Sequence, residues 1–351
     1  MNHTCTYHDR GYLAQGLALW RSLAARDPQA RHTVLALDDD TAAVLRAIGG
    51  ERLAVVELRE LLAADPALAA VQAGRSRKEF IFALTPCLVR HVLETNHRVQ
   101  RLLYLDADLF FFGDPAPIWH ELGGHAALIT PHRYPAWHDD SARYGRHNVG
   151  VVGFRRDAAG RAVVDWWRAQ CLASTALTAD GTHYGDQKYL DEWPRRFAGV
   201  AESRHPGVNL APWNWAGHRC AIARDGGVTA DGAPLVVFHF AQFRRVSEAW
   251  FDSGQLEYGI MPRALRSRLY GEYWAALESA ETEIRARLPG FAIARRGWRE
   301  SLGPWHLALL RLCWGQFWWR AGSRWIAGRF GLGRFSGRAM GWYRRRQGGG
   351  K

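Results

Sequence analysis

The chain has 351 residues, 48% of them hydrophobic, with 46 Lys and Arg against 34 Asp and Glu and a formal charge of +12. That apolar content over that length supports a sizeable core and excludes a disordered chain. The charge is uneven: residues 295–351 hold 13 basic residues and one acid, Glu300, whereas residues 1–294 balance 33 against 33. The first half alternates short apolar runs with helical periodicity, the pattern of an α/β sheet. His3–Tyr7 is predicted as a strand, and Tyr12–Ala25 as a helix with Leu13, Leu17, Trp20 and Leu23 near one face. Thr33–Leu37 is a strand running into Asp38, Asp39 and Asp40, which read as a solvated turn, and Leu53–Leu58 is another apolar run. Lys78–Thr95 reads as a helix despite Pro86, and Leu102–Leu105 as a buried strand. Ala126–Thr130 and Val149–Phe154 are strands, and Ala159–Leu172 is a helix. Turn signals surround Val228–Ala230, Leu235–Phe240 is a strand, and Pro262 opens a helix that Pro289-Gly290 stops.

The sharpest local pattern is Leu102-Leu103-Tyr104-Leu105-Asp106-Ala107-Asp108-Leu109-Phe110-Phe111-Phe112. If the extended conformation continues through residue 108, both carboxylates aim to one side. At a strand end of an α/β sheet they face the crevice where such folds take ligands. Two hard oxygen donors suit Mg²⁺ or Mn²⁺ with a phosphate. D-x-D at a strand end also arises by chance. The apolar residues on both sides weigh against chance here, because burying two carboxylates without a cation is costly.

A strand ending in Leu-Asp-Ala-Asp after a helix like Lys78–Thr95 resembles the DxD motif of glycosyltransferases with the GT-A fold. His3–Leu23 is similar to that family's opening strand and helix, and Asn148-Val149-Gly150 to its Asn-x-Gly strand. Gly185-Asp186-Gln187 resembles the Asp-Gln that opens a helix below the donor sugar, and Phe238-His239-Phe240 the late strand that brings a His to the metal. The five motifs stand in the family's order, and the subset most resembled is the retaining one that includes bacterial lipopolysaccharide galactosyltransferases and glycogenin. The resemblance implies a mixed sheet flanked by helices, a nucleotide-sugar donor (a UDP-sugar first) and Mn²⁺ or Mg²⁺. It implies Asp106, Asp108 and His239 as metal ligands, Asp106 also touching the nucleotide. Thr6, Tyr7, Asp9 and Tyr12 would hold the nucleotide, and Asp186, Gln187 and Asn148 would face the sugar.

Several of these positions have plainer readings: a core His on an apolar strand for His239, a packed aromatic for Tyr12, a strand-edge Asn for Asn148, a charged helix start for Lys78. Lys78 lies where relatives place a cation near the donor. Arg245 stands where the family has a phosphate-gripping Lys, but Ala241-Gln242-Phe243-Arg244-Arg245-Val246 lacks the family's Gly, Lys, Pro and Trp. Arg replaces Lys as a phosphate binder readily, and two Arg compete for the role. Asp139, Asp140 and Asp186 are candidate bases for an inverting reaction, so stereochemistry stays open. Pro212-Trp213-Asn214-Trp215 reads as a sugar platform or a core Trp pair, and residues 131–147 as a lid.

In the C-terminal segment, a helical wheel over Trp314–Ile326 places Trp314, Trp318, Trp319, Trp325 and Ile326 on one arc. A basic, Trp-rich amphipathic helix suits an anionic membrane surface; packing on the body and nucleic-acid binding are the competing readings. The expected domains are a catalytic body over 1–250, a helical extension over 251–294 and a membrane-associating tail over 295–351. No window of about 18 uncharged apolar residues forms a span, and the N-terminus lacks the features of a secretory signal. The five scattered Cys read as reduced thiols. The whole describes a cytoplasmic, peripheral membrane glycosyltransferase acting on a glycan or lipid-linked acceptor. A haloacid-dehalogenase-type phosphatase and a non-catalytic glycan- or nucleic-acid-binding protein are the alternatives.

Overall fold

The computed structural model of the chain describes residues 1–137, 139–178, 183–245, 250–253, 258, 261–293 and 317–319. Strands β1 (Asn2–His8), β2 (His32–Ala36), β3 (Leu53–Glu57), β4 (Arg101–Leu105), β6 (Ala127–Pro131), β7 (His147–Arg155) and β8 (Val200–Glu202) form one sheet in the order β3-β2-β1-β4-β7-β6-β8. Only β7 runs against the others, so the sheet is mixed, as expected. Helices α1 (Leu13–Arg26) and α5 (Arg263–Arg285) contribute to the apolar cluster on one side, α3 (Arg77–Thr95) and α4 (Ala158–Ala173) to that on the other. Cover on both faces is why β2, His-Thr-Val-Leu-Ala, is buried throughout rather than alternating.

The helix starts carry their own chemistry. Ser76 and Glu79 form a reciprocal capping box at α3, which fixes where Lys78 and Phe82 emerge. The Asp38–Asp40 triplet is not a solvated turn. Asp38 accepts from the Thr41 amide at 2.8 Å and starts helix α2 (Asp39–Ile48), with Asp39 and Asp40 in its first turn, where acids favour the helix dipole. In α5, Leu265, Leu269, Tyr273, Leu277 and Ile284 are all buried, and the Tyr273 ring stacks on Phe240 with centroids 3.8 Å apart. The helical extension is therefore continuous with the core of the body.

Strand order reverses at β1, whose neighbours are β2 and β4, which opens a crevice at the strands' carboxyl ends. The extended conformation does not run through the carboxylate motif. Strand β4 ends at Leu105, the chain turns with the Leu109 amide on the Asp106 carbonyl at 3.2 Å, and β5 (Leu109–Phe111) begins. Strand β5 pairs antiparallel with β10 (Val237–His239), with His239 opposite Leu109, and β10 lies parallel to β9 (Val208–Leu210). The two acids thus converge through a turn, and the register brings His239 to them.

A small sheet follows: β11 (Arg244–Arg245), β12 (Trp250–Asp252) and β13 (Phe317–Trp319), joined antiparallel with Phe251 opposite Trp318. Residues 317–319 are therefore strand, against the helix read over Trp314–Ile326; a partner edge far away in sequence decides their conformation. The rest of that wheel, and residues 294–316 and 320–351, lie outside the described residues. Among the described residues, no helix is long and apolar enough to cross a membrane.

Candidate functional site

The crevice holds a cleft of about 320 Å³. The end of β1 supplies Tyr7, His8 and Asp9, and the end of β4 supplies Tyr104, Asp106 and Asp108. Lys78, Ile81 and Phe82 of α3 form the facing wall, with Tyr12 at the mouth, 42% exposed. Asp9 is oriented by the Gly11 amide at 2.9 Å and by Arg77. The Lys78 ammonium lies 5.9 Å from the centre of the Phe82 ring.

At the inner edge, His239 Nε2 lies 3.0 Å from Asp108 Oδ1 and 3.7 Å from Asp106 Oδ2. One ligand atom from each residue falls within 4.8 Å of the other two. Burial drives the Asp106 carboxyl above its usual range, with His239 opposing and Asp108 reinforcing. Burial acts likewise on Asp108, but His239, the residue's own backbone amide and Arg244 together hold that carboxyl low. His239 in turn is held above the usual imidazole range by Asp108, against burial. Two carboxylate oxygens and one imidazole nitrogen make a donor set that fits Mn²⁺ or Mg²⁺. The surroundings leave those atoms free for it. Tyr104 donates to Asp106 Oδ1 at 2.9 Å, away from the Oδ2 that faces His239, and Asn209 Oδ1 meets His239 Nδ1 at 3.2 Å. Gly150 of the Asn-x-Gly motif is there for space: a Cβ would stand 2.7 Å from His239 Nδ1 and 2.6 Å from Asn148 Oδ1.

Asp186 is buried behind this edge, its carboxyl pushed up to about 7 by burial, with Asp106 adding and a Thr85 hydrogen bond opposing. It adjoins the cleft through Gly185, held at φ +58, where a Cβ would press on the Phe82 ring at 2.9 Å. Asn148 and Gln187 are engaged with each other. Asn148 Nδ2 donates to Gln187 Oε1 at 2.9 Å, and Gln187 Nε2 donates to the Tyr144 carbonyl at 2.7 Å.

Two expected residues fall elsewhere. Strand β1 runs to His8, so Thr6 stays inside the sheet, fully buried, and Asp9 takes the strand-end position. Arg245 is buried, paired with Glu281 of α5 and lying over Trp274 at 5.2 Å, so its charge is spent in the core. Its neighbour Arg244 is the one whose charge reaches Asp108 and Tyr12. Trp213 is also no open platform: it is buried, donates to the His132 carbonyl at 3.0 Å, and sets its ring edge-on to His239 at 5.1 Å. Sequence reasoning missed Asn209 and Tyr104, and left Arg244 in competition with Arg245. An Asn between the apolar Val208 and Leu210, and a Tyr two positions before the first Asp, were the available signals.

No family model matches the chain. Among solved structures it is similar to a galactosyltransferase, LgtC, in complex with donor and acceptor sugar analogues, at 20% identity over 69% of this chain and 87% of that one, with a TM-score of 0.45. It is similar to mouse xyloside xylosyltransferase 1 at 14% identity over 69% and 98%, TM-score 0.45. Two Bacillus subtilis (strain 168) proteins are nearer in sequence. YfnF is 31% identical over 69% of this chain and 82% of its own length, and YfnD is 30% identical over 83% and 93%; both are called uncharacterized. At that identity and coverage, the chain belongs to the family of YfnF and YfnD.

Proposed function

We propose that the chain is a divalent-cation-dependent glycosyltransferase that takes its sugar from a nucleoside-diphosphate donor, a UDP-sugar first. The observation that carries this is the meeting of Asp106, Asp108 and His239 beside a cleft at the carboxyl ends of β1 and β4. A bound Mn²⁺ or Mg²⁺ would neutralise the diphosphate as it leaves. Tyr7, Asp9 and Tyr12 offer an aromatic and hydrogen-bonding cradle for the nucleoside, and Lys78 and Arg244 would meet the diphosphate. Asp186 would accept from a hydroxyl of the donor sugar. For a retaining course, Gln187 offers no nucleophile, because its amide is taken up by three protein hydrogen bonds. Attack from the face the diphosphate leaves then needs no covalent protein intermediate. The acceptor is proposed to be a glycan or lipid-linked glycan at the cytoplasmic membrane face, on the strength of the basic, Trp-rich segment 295–351 alone.

The test is a panel of nucleotide sugars with Mn²⁺, followed by release of the nucleoside diphosphate. Slow release from one donor, abolished in Asp108→Asn, is expected. Turnover of a chromogenic phosphate ester without donor turnover would instead favour the phosphatase. Loss of sedimentation with anionic liposomes after truncation at residue 294 checks the membrane proposal, and unchanged sedimentation contradicts it.

A further inference from the structure

The amides behind the triad are joined head to tail. Gln187 Nε2 donates to the Tyr144 carbonyl at 2.7 Å, and Gln187 Oε1 accepts from Asn148 Nδ2 at 2.9 Å. Asn148 Oδ1 accepts from Asn209 Nδ2 at 2.9 Å, and Asn209 Oδ1 meets His239 Nδ1 at 3.2 Å. The direction of the chain is fixed by groups that have no choice. The Gly150 amide can only donate, and it donates to Asn148 Oδ1 at 2.9 Å; the Val149 amide does the same to Gln187 Oε1 at 3.4 Å. The Tyr144 carbonyl can only accept. The remaining hydrogen of Asn209 goes to Thr130 Oγ1 at 3.2 Å. Asn209 Oδ1 is therefore left as an acceptor, His239 Nδ1 must carry the hydrogen, and Nε2 is the nitrogen turned to Asp106 and Asp108. Asn209 sits at φ +60, a left-handed conformation that costs Asn less than most residues, and it is fully buried.

A second path runs from the same segment. Trp213 Nε1 and Asn214 Nδ2 donate to the His132 carbonyl at 3.0 and 2.9 Å, and the Trp213 ring abuts His239. Both His132, just after β6, and Tyr144, just before β7, are thus tied to one imidazole.

We propose that Gln187, Asn148 and Asn209 form a one-way amide relay that holds His239 Nε2 toward the metal position and ties it to the segment between β6 and β7. This rests on the reading of Asp106, Asp108 and His239 as metal ligands. It gives Asn148 and Gln187 a positioning role at His239. A displacement of Tyr144 is then felt at the metal through three amides, and metal binding favours one placement of Tyr144.

Gln187→Glu is the informative variant, because Gln187 bonds to none of the three ligands. Its carboxylate would face the Tyr144 carbonyl without a hydrogen to give. Outer partners of metal ligands typically govern affinity by about 10- to 100-fold. Calorimetry should show Mn²⁺ affinity about tenfold lower in Gln187→Glu and lower still in Asn209→Ala. Asn209→Asp keeps the acceptor for His239 Nδ1 but has no hydrogen for Asn148 Oδ1, so its Mn²⁺ affinity should fall about as far as that of Gln187→Glu. Mn²⁺ affinity unchanged in Gln187→Glu overturns the relay. A second measurement needs neither metal nor variant. ¹⁵N spectra of the metal-free protein should show a hydrogen on His239 Nδ1, whether or not Nε2 carries one toward Asp108, and a bare Nδ1 overturns the relay too. Should the unsubstituted chain bind no Mn²⁺, the metal reading fails, while the spectrum still decides the relay.

Discussion

Gly150 shows how tightly the site is set at the scale of single residues. Gly150→Ala places a methyl 2.7 Å from His239 Nδ1 and 2.6 Å from Asn148 Oδ1, so the imidazole or the amide must move. Overpacking of this kind costs about 1–3 kcal/mol. We expect thermal denaturation to show a folded but destabilised protein, and Mn²⁺ titration to show affinity down about tenfold or more; an unchanged affinity would mean that His239 is not held by this contact. Some of the site was open to reading at this scale. Asp106 and Asp108 stand out because apolar residues bracket them, and His239 because a polar group interrupts an apolar strand. Asn209 and Tyr104 could not be read, since their roles come from neighbours that are remote in sequence or fixed by rotamer. Arg245 failed for a different reason. In an extended segment consecutive side chains point to opposite faces, so which of two adjacent Arg reaches the cleft depends on strand parity, which only the pairing of β11 with β12 sets.

At the scale of elements, the capping box of α3 links helix stability to ligand binding. Ser76→Ala removes the side-chain acceptor of the Glu79 amide and should cost about 1 kcal/mol. Fraying the first turn also loosens Lys78, so affinity for a nucleoside diphosphate should fall several-fold along with the denaturation midpoint. A lower midpoint with unchanged affinity would separate Lys78 from the diphosphate. Helices α1, α3, α4 and α5 and six of the sheet's seven strands were legible to within a few residues because their periodicity reflects burial, whereas α2 and β8 were not read. The carboxylate turn was not: four apolar residues and two acids read as one extended run, while the structure ends β4 at Leu105 and starts a new strand at Leu109. Pairing with β10 makes the difference, and pairing is non-local. Residues 317–319 follow the same logic, since a spacing that suits a helix carries no information about an available edge at β12.

Across the whole molecule, the sheet buries several imidazoles in their neutral form. Burial holds His3 and His8 down to about 4, and His32 and His132 to about 3. Each is depressed below its unfolded value, so the unfolded chain binds more protons between about pH 6.5 and 4. The stability these groups contribute is complete above pH 6.5 and is lost as pH falls toward their folded values. The loss is on the order of 1 kcal/mol per imidazole per pH unit. Urea denaturation should show a steep fall in stability from pH 7 to pH 4.5, and a flat profile would contradict neutral burial. The charge split that opened the sequence leaves the body balanced, so its recognition of an anion rests on local groups rather than a general field. The central claim is that Asp106, Asp108 and His239 hold a divalent cation that in turn holds a nucleoside diphosphate. The direct measurement is calorimetric titration of UDP with and without Mn²⁺. The account predicts binding that requires the ion and is lost in Asp108→Ala; binding indifferent to Mn²⁺, or equal in Asp108→Ala, would contradict it.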